Sequence, residues 1–265
     1  MSAETKTVLV TGAGSRLGAE LARAYAKAGW SVACHYNANE KPVQRLIEDI
    51  RDHGGQAVGI RADLSGEDGC EQLLGAVRDT TRWLDCLVNN ASTFDDDSAT
   101  TFTQTQLAHQ LQVNLMAPLA LARGMANTLL REHSGEPGCV IHILDQKVLN
   151  LNPDYFSYTV SKLALERAVA LQAQALAPRL RVCGVAPGLM FLSGPQDQQN
   201  FERASRVNLM QRPLDAKQVA ATCVFLAGNP CITGVTLAVD NGQHLVPLER
   251  DVMFVVDELF RKTQA

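Results

Sequence analysis

The chain has 265 residues, 46% of them apolar and 20% charged, with a formal net charge of −4. Such a length fits one α/β domain with a full core, or two small ones, and the composition excludes a disordered chain. The acidic balance gives no electrostatic footing for nucleic acid or an anionic membrane, and no apolar run approaches bilayer-spanning length.

The predicted elements alternate. TVLVT (7–11) is a short β-branched strand, followed by glycines and a helical RLGAELARAYAKAG with Leu17, Leu21 and Tyr25 on one stripe. SVACHY (31–36) is a second strand, PVQRLIEDIRDHGG (42–55) a helix closed by glycines, QAVGIRADL a third strand and EQLLGAVRDTT a helix. LDCLVNNAS (84–92) runs from strand into loop, a long helix fills about 104–131, and CVIHILD (139–145) is the fifth strand. A helix carrying Tyr158 and Lys162 follows, then strand and loop in RLRVCGVAPG (179–188), a helix in KQVAATCVFLAG and a last strand in GVTLAVDNG. This alternation predicts a single α/β domain over residues 1–265, a doubly wound parallel sheet of about seven strands with helices on both faces. Ligands of such sheets lie beyond the carboxyl ends of the strands. The segment 189–213, rich in Gly, Pro and Gln, interrupts the pattern and reads as a substrate flap.

The seven cysteines are an odd number without C-x-x-C, so they read as small buried residues of a reducing cytoplasm. MSAETKTVLV lacks the design of a signal peptide, which also points to the cytoplasm. The six histidines are scattered without H-E-x-x-H, so no metal site is expected.

TGAGSRLG (11–18) follows the first strand and opens a helix, the context a dinucleotide-phosphate loop needs. Gly12 can take backbone angles closed to other residues, Gly14 can let a pyrophosphate approach, and Gly18 permits close helix–strand packing. An acid at the end of the second strand would accept from a ribose 2′-OH and select NAD. Here that end reads HYNAN, with no carboxylate before Glu40, while Arg16 sits in the loop and Lys41 lies nearby; NADP(H) is the expected cofactor. A solvated helix-start residue is the alternative for Arg16. Tyr158 and Lys162, four residues apart, share one helical face, whereas Tyr155 has Thr159 in that place and no cation.

These segments in this order resemble the short-chain dehydrogenase/reductase family over nearly the whole chain: TGAGSRLG, Asp63 in ADL, NNAS at 89–92, Asn114 in VNLMAP, Tyr158-x-x-x-Lys162 and Pro187-Gly188. The resemblance implies a Rossmann domain with Tyr158 as general acid/base. Lys162 would bind the nicotinamide ribose and lower the phenol's pKa, and Asn114 would position a relay water behind it. It places the cofactor against Gly12, Gly14, Ser15, Arg16, Leu17 and Gly18; His35, Tyr36 and Asn37; Asp63 and Leu64, the former receiving the adenine amino group; Asn90, Ala91 and Ser92; Tyr158 and Lys162; and Pro187, Gly188 and Leu189. It also implies a homotetramer.

Three departures narrow the reading. Asp145 stands where the family usually has a serine that donates to a substrate carbonyl; an ionised aspartate only accepts and opposes a developing oxyanion. Ser92 replaces a usual glycine and is followed by Phe94, and Arg16 replaces the loop's middle glycine. The set is similar to the pteridine reductases and dihydromonapterin reductase-like enzymes, among them alternative dihydrofolate reductases. That likeness implies NADPH-dependent reduction of a pterin ring C=N, the substrate being a dihydropterin or dihydrofolate. Phe94 would stack the pterin against the nicotinamide, Ser92 and Arg16 would contact cofactor or substrate, and Asp145 would work with Tyr158 in protonation. A core or rim phenylalanine and a capping carboxylate are the alternatives for Phe94 and Asp145. A carbonyl or alcohol oxidoreductase and a non-catalytic NADP(H) sensor are the alternatives for function. The C-terminal extension, about 243–265, carries Val252, Val255, Val256 and Leu259 at helical spacing, fit to pack on the domain or to cover a neighbouring subunit's pocket.

Overall fold

In the computed structural model, residues 5–66, 68–130 and 136–256 are described; Leu259 and the rest of the tail lie outside them. β1 (Thr7–Val10) is buried along its whole length, as a strand covered on both faces must be. Val8 and Val10 point into one core and Leu9 into the other, the period of two imposed by the pleat. β2 (Ser31–Tyr36), β3 (Gln56–Arg61), β4 (Cys86–Asn89), β5 (Gly138–Ile143), β6 (Leu180–Pro187) and β7 (Thr236–Val239) complete a sheet of order β3-β2-β1-β4-β5-β6-β7. Every pairing is parallel. The single Rossmann-like α/β domain expected from the alternation is the fold observed.

One core packs α1 (Arg16–Lys27), α2 (Glu40–Asp52) and α8 (Ala216–Gly228) on the sheet through Leu21, Tyr25, Leu46, Ile47 and Cys223. The other packs α3 (Gly69–Thr81), α5 (Ala117–Thr128) and α6 (Phe156–Leu176) through Leu73, Val77, Leu121, Met125 and Leu165. Leu21 has no exposed surface, and truncating such a side chain to alanine costs about 2–5 kcal/mol. Six of the seven cysteines are buried thiols.

The helix expected over about 104–131 is not continuous. α4 (Gln104–Leu111) and α5 are joined by a π-turn, Gln112–Met116, and residue 131 lies outside the described residues. Pro118, in the first turn of α5, has no N–H to return to the carbonyl of Asn114, so an α-helical bond is missing where the turn widens. Within the segment 189–213 the chain forms a short helix, α7 (Gln198–Ala204), whose Asn200 donates to the Met253 carbonyl at 2.9 Å. Residues 252–256 are helical, and Val252 and Val256 are buried with Ala204.

The order of strands reverses between β1 and β4. Crevices open at such switch points, beyond the carboxyl ends of the strands.

Candidate active site

A cavity of about 550 Å³ opens along those strand ends, a volume in the range of small-molecule sites. At one end the loop after β1 turns into α1. Gly12 adopts φ +65, and a Cβ on Gly18 would collide with the Gly12 carbonyl oxygen, so both positions demand glycine. The Thr11 hydroxyl accepts from the amides of Asn90 and Ala91, both at 2.9 Å, and the Asn90 side chain donates to the carbonyls of Thr11 and Gly12 at 2.9 and 3.2 Å. These bonds fasten the loop after β4 to the phosphate loop. Buried His35 accepts from Gly12 N–H through Nδ1 at 3.1 Å and so donates from Nε2 to the Ala62 carbonyl; burial lowers its pKa and favours this neutral tautomer. The cradle fits a dinucleotide: a narrow glycine turn with no room for side chains, opening the N-terminus of α1.

Most expected cofactor residues line the cavity: Gly12, Ser15, Arg16, Leu17 and Gly18, then His35, Asn37, Asp63 and Leu64, then Asn90, Ala91 and Ser92, with Lys162, Pro187 and Gly188 beyond. Three residues do not. A Cβ on Gly14 would come within 3.0 Å of Val43, so this glycine serves the packing of α2. Tyr36 follows His35 on the strand and therefore faces away, where it hydrogen-bonds Glu40. Leu189 has its amide held by Gln243 at 2.8 Å, and its side chain packs with Ala204, Val252 and Val256; Met190 and Phe191 take its place on the wall.

Asn114, expected as a catalytic residue behind Lys162, also lies off the cavity wall. Fully buried in the π-turn, it accepts from Thr93 N–H at 2.9 Å and donates toward the Thr93 carbonyl, Gln110 and Ser161 at 2.8–3.1 Å. Its side chain anchors the loop that carries Phe94. Gln110, overlooked in the sequence, completes that anchor by accepting from Thr93 Oγ1 at 2.9 Å and donating to Asp95 at 3.1 Å.

Arg16 takes a left-handed φ of +50, which glycine would adopt at lower cost, and donates to the Leu192 carbonyl at 2.9 Å. Leu192 follows β6, on the far side of β1 from β2. Arg16 lines the cavity, as expected of a cofactor or substrate contact, with its guanidinium directed toward the β6 side. The cation at the end of β2 is Arg61, placed there because it pairs in register with Tyr36; its Nε donates to the Asn37 carbonyl at 3.1 Å.

At the other end, β5 delivers Asp145 and α6 delivers Tyr158 and Lys162. Tyr158 donates to Asp145 Oδ2 at 3.0 Å, and Asp145 Oδ1 accepts from Lys147 N–H at 2.9 Å, capping a short 3₁₀ turn at Gln146–Val148. The carboxylate is therefore both a cap and the phenol's partner. Lys162 donates to the Ile143 carbonyl at 2.8 Å, and its ammonium lies 5.7 Å from the centre of the Tyr158 ring. Burial, and then Asp145, hold the Tyr158 phenol well above its ordinary pKa. The resemblance implied a phenol lowered by Lys162; in this structure burial is the larger influence on the phenol, and Asp145 adds to it. Burial also raises Asp145, opposed by the Lys147 amide and ammonium and by the phenol, and it lowers Lys162 to about 8 against the pull of Asp145.

Phe94 lines the cavity, stacked on Tyr155 (centroids 4.0 Å apart, planes at 22°) and edge-on to Tyr158 (4.7 Å, 90°). Tyr155 is buried at the bend entering α6, with φ +56, and donates to Met253 Sδ at 3.3 Å. It does have a cation: Lys147, from the preceding turn, lies 5.6 Å from its ring centre. The spacing rule on α6 could not reveal a lysine from another element. Ser92 is exposed at the cavity wall.

Comparison with known proteins agrees with this geometry. The sequence profile described as Enoyl-(Acyl carrier protein) reductase, of the short-chain dehydrogenase type, matches residues 12–244. The chain is a short-chain dehydrogenase/reductase. Among relatives of this dehydrogenase/reductase, the dihydromonapterin reductase of Enterobacter sp. (strain 638) is 30% identical over 92% of the chain and 99% of the relative. The crystal structure of FolM Alternative dihydrofolate reductase 1 from Brucella suis in complex with NADP has a TM-score of 0.86 at 36% identity, covering 92% of this chain and 97% of that one. The Brucella canis protein of the same name, complexed with NADP, gives 0.85 at 36% identity, covering 91% and 94%.

Proposed function

We propose that this short-chain dehydrogenase/reductase reduces a ring C=N bond of a dihydropterin with NADPH, giving the tetrahydropterin and NADP. The observation that carries the reading is the Tyr158–Asp145 hydrogen bond at 3.0 Å in the cavity wall. A ketone develops an oxyanion during reduction and needs a donor at that place; an enoyl thioester, named in the profile's description, likewise places negative charge on its oxygen. A carboxylate opposes both. It suits a ring whose N–H and amino groups donate beside the reduced bond. The names of the relatives, dihydromonapterin reductase and FolM Alternative dihydrofolate reductase, support the same class.

The cofactor would be held by the glycine loop and Lys162, with its adenine end toward Asp63 and Leu64 and its 2′-phosphate toward Asn37, whose carbonyl Arg61 holds from outside the cavity wall. When bound it supplies the hydride that adds to the ring carbon. The chain's residues supply the rest. Phe94 offers a flat face to the ring, its loop held by Asn114 and Gln110 on either side. Tyr158 and Asp145 together hold the proton that the adjacent ring nitrogen takes. The phenol, held well above its ordinary pKa, keeps that proton at neutral pH with Asp145 as its acceptor, so the pair is charged for donation and is refilled from solvent after turnover. Arg16 and the segment 189–213 close over the substrate as a flap, the Arg16–Leu192 bond being their point of contact.

Among the described residues no helix is long and apolar enough to cross a membrane. Met116, Leu171 and Phe225 are more than half exposed. Such side chains support assembly into a homo-oligomer, which we place as a tetramer in the cytoplasm. The functional reading is tested by following the nicotinamide absorbance with a dihydropterin and NADPH; loss of absorbance proportional to tetrahydropterin formed is expected, and none would refute it.

A further inference from the structure

The C-terminal segment reaches the catalytic residues of its own chain. Lys147, two residues beyond Asp145, is only 2% exposed, and its ammonium pairs with Asp251 Oδ2 at 2.9 Å. It also donates to Asn152 Oδ1 at 2.6 Å and lies over the ring of Tyr155, the tyrosine stacked on Phe94. Asp251 is fixed in turn: its amide donates to Asp154 Oδ2 at 2.7 Å, and Asp154 takes a two-toothed ion pair from Arg250 at 2.6–2.9 Å. A surface lysine would gain little from one carboxylate. Here a buried ammonium and a buried carboxylate, separated by about a hundred residues of sequence, meet beside a third carboxylate that is already the partner of Tyr158.

We propose that the Lys147–Asp251 ion pair is a positioning element of the catalytic centre: Lys147 orients Asp145 and balances its charge, and Asp251 brings in the C-terminal segment as the counter-ion that keeps this balance neutral. The inference rests on the pterin-reductase reading of the Asp145–Tyr158 pair. Orientation comes from the main-chain N–H of Lys147, which bonds Asp145 Oδ1 and leaves Oδ2 for the phenol, while the Lys147–Asp251 pair fixes that residue in place. Charge balance comes from what faces Asp145. Lys162 and Tyr158 approach from α6, Lys147 from the adjoining turn, and Asp251 from the C-terminal segment. The Asp154–Arg250 pair stands behind Asp251 and is neutral as a unit. Arg16 is on the same cavity wall, engaged with Leu192. Lys147 and Asp251 bear on Asp145 with opposite sign, the first stabilising its ionised form and the second disfavouring it.

The opposed signs provide the test. The proton shared by Asp145 and Tyr158 is lost as pH rises, and kcat should fall with it; the two groups titrate as one system. Lys147→Met removes a positive charge and should move the alkaline half-point of kcat upward. Asp251→Asn removes a negative charge and should move it downward, each by at least about half a pH unit. The double variant Lys147→Met/Asp251→Leu removes both charges and should return the half-point close to that of the unmutated protein, even where its kcat is lower. It also guards against a single variant that leaves a buried charge unpaired and fails to fold. A merely structural pair would lower activity in all three without moving the half-point, and that result would overturn the proposal. An unmutated protein that does not reduce dihydropterins would instead overturn the functional reading; the half-points would then be read on whatever substrate it does reduce.

Discussion

Replacing Asp145 by serine separates the two bonds this side chain makes. Oδ1 caps the turn at Gln146–Val148 by accepting from Lys147 N–H, and a serine hydroxyl can accept that bond equally well, so the turn should survive. The bond to Tyr158 at 3.0 Å is different, because it ends on a carboxylate. A hydrogen bond to a charged group contributes about 1.5–3 kcal/mol, which corresponds to roughly 10- to 150-fold in rate. Asp145→Ser should therefore lower kcat/KM for a dihydropterin by at least about tenfold. NADPH affinity should stay nearly unchanged, since Asp145 lies at the opposite end of the cavity from Asn37 and Arg61. The same substitution installs a donor where a ketone oxygen would lie, so slight reduction of activated diketones should appear. The assay is steady-state NADPH oxidation with both substrates, beside a binding titration of NADPH. A serine variant as active on the pterin as the unmutated protein would refute the reasoning.

Three other perturbations have stated outcomes. Tyr158→Phe removes the donated proton and should lower turnover by about 10²–10⁴-fold while NADPH still binds, whereas Tyr155→Phe, which loses only a contact to Met253 Sδ, should be mild; kinetics of the two variants would show the ranking. Arg61→Ala should weaken NADPH by about tenfold or more and spare NADH, with a phosphate contact of roughly 1.5–3 kcal/mol at stake, while Arg16→Gly should affect the pterin KM more than the choice of cofactor. His142 is fully buried, bonded to Gln172 at 2.8 Å and to Asn89 at 3.2 Å, and burial lowers its pKa to about 4 from an ordinary 6.5. The unfolded chain then binds more protons between those values, so stability falls as pH drops through that window, by up to about 3 kcal/mol; denaturant unfolding at pH 7 and pH 4 should show this loss shrinking in His142→Gln.

Much of the site could be read from local pattern because its parts follow strands directly. Gly12 and Gly18 are forced by a turn after β1, Asp145 by the end of β5, and Tyr158 with Lys162 by one helical face. Other features depend on contacts that no local pattern encodes. The apolar period from α4 into α5 is nearly continuous, so the π-turn holding Asn114 is invisible until Pro118 is seen as a donor missing from that helix. Arg61 reaches the Asn37 carbonyl only through parallel register with Tyr36, and Tyr36 faces outward only once the strand's alternation is fixed by His35. Arg16 reads from its place in the loop as a cofactor or substrate contact; the direction of its guanidinium, set by a left-handed backbone and the Leu192 carbonyl, is not in the local pattern. No local pattern marks Lys147 as buried; Asp251, some hundred residues away, pairs with it.

The central claim is that the Asp145–Tyr158 pair serves a C=N bond flanked by donors rather than a carbonyl. The most direct measurement is one competition: the unmutated protein, NADPH, and kcat/KM for a dihydropterin set against an activated diketone. The account predicts a preference for the dihydropterin of at least about two orders of magnitude, the scale of one charged hydrogen bond gained against one misplaced. A preference for the diketone would contradict it and return the cavity to the carbonyl reductases.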